Sequence, residues 1–240
     1  MALTLKQHFS FSNLETLIFH GGFGSGNVNT NYDTCTFNCD KNIKTPPTEV
    51  VEIKQLRTIK FEFCPNLDLA ETFLMLADIP NLRKLQLKSC NIKEVPPEIW
   101  ALYKLKNLDF VNEGYGNENE FTTFPPEIGQ LVELQELCLS ENYKFERFPI
   151  EIANLKRLKK LNLRGFHRLP ENIELITNLE DICLVFSHIV PNQIEYLLEK
   201  PNGLKSVTVG ENYYNIFNQL TERYPTFSVG SEQTSMRGNY

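Results

Sequence analysis

The sequence predicts an α/β solenoid: similar coils stacked side by side, each giving one short strand to a shared sheet and returning through a short helical or irregular segment. Three observations carry this. The apolar pattern that begins at Leu82 (Leu85, Leu87, Cys90, Ile92, Val95, Ile99, Leu102) starts again at Leu105. Its first half alternates as a strand with one buried face does, and the double proline Pro96-Pro97 then turns the chain back. Finally, one such unit buries too little apolar surface to offset the backbone entropy of fixing it, so units must share strand hydrogen bonds and a common core.

In chain order, residues 1–13 lack the pattern and are expected to form an N-terminal cap, with Phe9 and Phe11 over the open end of the core. The array then runs over 14–212, in about eight coils starting at Leu14, Leu56, Leu82, Leu105, Leu134, Leu158, Leu179 and Leu204. Two coils are overlong. The first carries an insertion over about 20–44, whose Gly and Asn content predicts a surface loop, and the fourth carries one over 113–120. From Tyr214 to Tyr224 the spacing of Ile216, Phe217 and Leu220 predicts a helix, and Phe227 and Val229 a last strand; together, 213–229 form a C-terminal cap. The polar segment 230–240 is expected to be a disordered tail.

The string L-x-x-L-x-L-x-x-C-x-I-x-x-V-P-P-E-I from Leu82 to Ile99 resembles the leucine-rich repeat. Its P-P-E-I ending looks like the intracellular Ras-group type found in plant, animal and bacterial proteins, a bacterial source among them. The resemblance covers nearly the whole chain. It implies a right-handed curved solenoid with a parallel sheet on the concave face and short helical, 3-10 or irregular segments on the convex face.

It also implies where a partner would bind, on strand residues that point out of the concave face. Those expected to touch a partner are Lys60, Glu62, Lys84, Gln86, Lys88, Asn107 and Asp109, then Glu136, Lys160, Asn162, Arg164, Asp181, Val185 and Phe186. Ser89, Asn112 and Ser140 are placed on the same face. Lys84 with Lys88, and Lys160 with Arg164, form basic spots, while Val185 and Phe186 are expected to be exposed apolar anchors. Family analogy points to a small GTPase or a phosphatase subunit as the partner.

Composition narrows the function. A net charge of −6 argues against a nucleic-acid partner. The N-terminus has no signal-peptide pattern, no apolar run is long enough to span a bilayer, and no Asn-x-Ser/Thr acceptor occurs, so a cytoplasmic protein is expected. Cys64 and Cys90 fall where the repeat usually has an inward asparagine. Cys138 and Cys183 lie on the strand face two coils apart, near 10 Å and beyond disulfide reach. Reduced thiols follow.

No catalytic constellation emerges, and neither a cofactor nor a metal is expected. The glycines from Gly21 to Gly26 match no phosphate-binding spacing and open no helix. Cys35 and Cys39 with His20 make three ligands of a zinc site without an evident fourth. His8, His20, His167 and His188 are scattered, and Glu118 and Glu120 belong to a polar insertion. Bacterial repeat proteins that act as ubiquitin ligases carry a large catalytic domain, for which the residues after the last unit leave no room. The expected function is a monomeric, non-enzymatic interaction scaffold. Two alternatives stay open: a recognition fragment of a larger signalling or effector protein, which Met1 and the two caps argue against, or a ligand- or metal-binding protein using the 20–44 insertion.

Overall fold

The computed structural model describes residues 14–20, 28–31, 34–38, 43–114, 116–185, 187–199 and 203–232. The expected cap over 1–13 and most of the 20–44 insertion lie outside these residues. Each predicted coil contributes its strand: β1 (Thr16–His20), then, past the β2 (Val28–Asn31) and β3 (Thr34–Asn38) pair, β4 (Thr58–Glu62), β5 (Lys84–Lys88) and β6 (Asn107–Val111). The series continues through β7 (Glu136–Cys138), β8 (Lys160–Asn162), β9 (Asp181–Cys183), β10 (Ser206–Gly210) and β11 (Ser228–Glu232). All belong to one 11-stranded sheet in the order β11-β10-β9-β8-β7-β6-β5-β4-β1-β3-β2.

Strands β1 and β4 to β11 run parallel in sequential register, so like positions of successive coils face each other. Leu85 pairs with Leu108, and Leu108 with Leu137. Inward side chains therefore stack into one aliphatic spine: Leu85 and Leu108 are fully buried, as are Leu87, Phe110 and Leu139. The returns are mostly short 3-10 segments, including Pro97–Leu102, Pro126–Gln130 and Ile150–Asn154; the first two begin with proline, whose φ suits the first helical position, and the third follows Pro149. Two returns are true helices, α1 (Leu69–Ala77) and α2 (Pro191–Leu198). Asp68 caps α1 by accepting from the Glu71 N–H at 3.0 Å, and Phe73 and Leu76 bury its inner face.

The insertion at 20–44 departs from the expected loop. Its two strands form a hairpin in which β3 pairs parallel with β1 and β2 pairs antiparallel with β3, continuing the sheet past its first coil. The C-terminal cap contains α3 (Glu211–Asn218) and α4 (Leu220–Arg223) before β11. Strand β11 runs to Glu232, so residues 230–232 are ordered by pairing with Thr208, Val209 and Gly210 and do not belong to a disordered tail. Residues 233–240 lie outside the described residues.

In the middle of the array the core is aromatic. Phe121 stacks on Phe110 at 4.9 Å and on Phe124 at 5.4 Å, and Phe145 meets Phe124 at 5.3 Å and Phe148 at 5.0 Å. Among the described residues, no helix is long and apolar enough to cross a membrane.

Candidate functional site

The open face of the sheet presents columns of polar side chains, one residue per coil. Pairing aligns Gln86 with Lys60 and Asp109, and further on Cys138 with Asp109 and Asn162, then Cys183 with Asn162 and Thr208. From Cys138 onward this central column is uncharged and small. The column beside it, Lys84, Asn107, Glu136, Lys160 and Asp181, is charged or amide throughout.

The basic spots read from the sequence are paired across coils. Lys84 Nζ lies 2.6 Å from Asp109 Oδ2, and Lys88 Nζ lies 2.9 Å from Glu113 Oε1 and over the Phe63 ring at 5.6 Å. Glu136 accepts from Asn107 Nδ2 at 2.5 Å and contacts Lys160 Nζ at 3.1 Å, which holds the lysine ammonium above its ordinary pKa. Arg164 Nε is 3.8 Å from Glu141 Oε1, the Tyr143 hydroxyl donates to Glu141, and the Ser206 hydroxyl donates to Asp181. Half-exposed pairs of this kind add little stability, but they fix the direction of each side chain. Lys60 and Glu62 have no ion-pair partner among the described residues.

Two shallow depressions lie on this face. One, of about 490 Å³, is floored by Cys138, Asn162, Cys183 and Thr208 and walled by Lys84, Glu136, Lys160 and Asp181. The other, of about 810 Å³, shares Cys138 and Asn162 and opens toward the strand ends, where Glu113, Glu141, Tyr143 and Arg164 line it. Burial pushes the Cys138 thiol up to about 12, so it is a poor nucleophile at neutral pH. Burial also raises Glu141, against the opposing effect of Arg164.

Several sequence-predicted positions differ. Val185 is not an exposed anchor: only 1% of it is accessible, because β9 ends at Cys183 and strand alternation stops before it. Phe186 lies outside the described residues. Asp109 is 7% exposed, covered by its bond to Lys84, and Asn112 and Ser140 are buried. The residues that follow β4 and β5 turn left-handed, at Phe63 (φ 56°) and Ser89 (φ 48°), and so does Glu141 (φ 60°) in the fifth coil. That turn takes Ser89 out of the face and buries it completely.

Sequence reasoning missed the wall at the strand ends. Tyr143, His167 and His188 hold the same position in three successive coils, and their rings meet, edge-on at 5.7 Å between the first two and tilted at 4.6 Å between the histidines. Aligning the coils on Leu134, Leu158 and Leu179 was the signal that would have found them. Among the described residues, no group of three or more His, Cys, Asp or Glu is arranged for a metal; Cys39 and the His20 side chain lie outside them.

This architecture is shared with solved structures. A leucine-rich-repeat protein of Leptospira interrogans superposes with a TM-score of 0.54 at 24% identity, covering 81% of this chain and 48% of its own. The fold is a leucine-rich-repeat solenoid. A TLR13–ssRNA13 complex gives the same TM-score of 0.54 at 20% identity over 84% of this chain and 26% of its own. In sequence, the leucine-rich-repeat chain is 28% identical over 205 residues to TMV resistance protein N of Nicotiana glutinosa, covering 74% of this chain. It spans only 17% of that relative's length. No family model matches the chain.

Proposed function

We propose that this leucine-rich-repeat chain is a non-enzymatic scaffold that binds a protein partner through the concave face of its sheet. The observation that carries the reading is the floor of Cys138, Asn162, Cys183 and Thr208, open between walls whose charges are already paired and held in direction. Side chains ordered before contact lose little conformational freedom on binding, which favours recognition of a shaped macromolecular surface. The Cys138 thiol at the centre of that floor ionises poorly, which makes it a weak nucleophile and favours a binding role for the floor.

Within this reading, the P-P-E-I returns favour the Ras-group type, a cytoplasmic setting and a monomer, with a small GTPase or phosphatase subunit as the partner class. The similarity to a plant resistance protein favours a signalling role. The test is capture from host lysate on immobilised protein. Asn162→Trp fills the floor, and Ile150→Arg alters a side chain that is 69% exposed on the convex returns. A partner kept by wild type and Ile150→Arg but lost by Asn162→Trp is the expected result. Equal capture by Asn162→Trp, with its unfolding midpoint unchanged, removes the concave face from the function.

A further inference from the structure

We infer that His167 and His188 form a binding site for one borderline divalent cation of the Zn²⁺ class, separate from the concave floor. The two residues sit side by side on adjacent coils, and the backbone fixes them there: the His188 N–H donates to the Phe166 carbonyl at 2.9 Å. Both side chains are exposed, and their ring centroids are 4.6 Å apart with the planes tilted by 36°. A metal at ~2.0–2.1 Å from two imidazole nitrogens places those nitrogens roughly 3.3 Å apart. Rings this close reach that separation by side-chain rotation alone, with no movement of the coils.

Imidazole is the ligand that Zn²⁺, Cu²⁺ and Ni²⁺ share, so the pair selects this class over Ca²⁺ or Mg²⁺, which take oxygen. The surroundings also suit a cation. Glu141 interacts electrostatically with His167, and Glu118 with Glu141, while the nearby Arg164 is already paired with Glu141. Two protein ligands leave coordination positions open to water or to a donor from another molecule, which makes the site exchangeable.

The chain has four histidines, so each can be assigned. The full-length protein is titrated with ZnCl₂ alone at neutral pH by calorimetry, with histidine NMR resonances followed in parallel. One equivalent is expected to bind with perturbation of His167 and His188, and H167Q or H188Q each weakens binding at least ~10-fold. H8Q/H20Q is expected to bind as wild type. Both site residues are exposed, so the variants keep the fold, which the unfolding midpoint checks. No heat up to ~1 mM Zn²⁺ overturns the assignment. So does binding that survives in H167Q/H188Q, which would place the metal on thiols or on the other histidines.

Discussion

Asn112 and Asn119 close the neck of the fourth coil's insertion by bonding to each other. The Asn119 N–H donates to Asn112 Oδ1 at 2.8 Å, and Asn112 Nδ2 donates to the Asn119 carbonyl at 3.0 Å. The side chain of Asn119 then turns inward, donating to the Leu87 and Val111 carbonyls and accepting from the Cys90 and Ile92 N–H groups. In the next coil Asn142 donates to the equivalent pair, Phe110 and Ser140, and Cys90 points its thiol at Phe61 and Lys88. Asn119 is therefore the inward asparagine of the fourth coil, delivered from the far side of the insertion.

Asn119→Ala takes the side-chain acceptor from the buried Cys90 and Ile92 N–H groups, so it should cost roughly 2–4 kcal/mol. Glu113→Ala, at the exposed start of the same insertion, should stay within about 0.5 kcal/mol. Urea midpoints of the two variants against wild type check this, and equal shifts would mean that Asn119 has no special place.

The same asparagine shows how far the sequence could be read. Coil starts, strands and the inward spine were legible because Leu85, Leu108 and Leu137 recur in one register, and neighbours demand it. Counting from Leu105 at the spacing of the other coils lands on Glu113, since an insertion breaks counting while the fold restores geometry. Val185 failed for a related reason: alternation is a property of strands, and β9 stops at Cys183. The ion pairs of Lys88 and Arg164 were illegible because they join residues of different coils or of a turn.

At Gly129 two neighbouring returns pack closely. A β-carbon there would sit 2.6 Å from the Glu151 carbonyl oxygen and 2.8 Å from Glu151 Cβ, and neither is the free end of a flexible chain. Gly129→Ala should therefore destabilise by about 1–3 kcal/mol despite the better helix propensity of alanine. Thermal unfolding decides it: an unchanged or raised midpoint would mean that the returns separate freely.

Cys138 gives a pH-dependent prediction. Burial raises its thiol from 9.0 to about 12, so at pH 8 the thiolate fraction falls about a thousandfold below that of a free thiol. Iodoacetamide at pH 8 should leave Cys138 unmodified in the folded protein long after the unfolded chain has reacted, as peptide mass spectrometry would show. The sign for stability follows. Between pH 9 and 12 the native state keeps a proton that the unfolded chain has lost, so stability falls as pH rises through that window and is unaffected below it. Cys138→Ser should remove that part of the decline.

The last prediction tests whether the coils depend on one another. Leu137 is 1% exposed in the central strand β7, and Val207 is fully buried in β10, next to the end of the array. An aspartate at either site buries a charge without a partner, which costs several kcal/mol locally. In a one-dimensional stack, a lesion near the end removes only the outer coils, whereas one in the middle deprives coils on both sides of a neighbour. Hydrogen exchange on Val207→Asp should show lost protection confined to β10 and β11. Leu137→Asp should lose protection from β5 through β9, with a collapsed unfolding midpoint. Confinement of the Leu137→Asp lesion to its own coil would mean that each coil is stable alone, contrary to the shared spine.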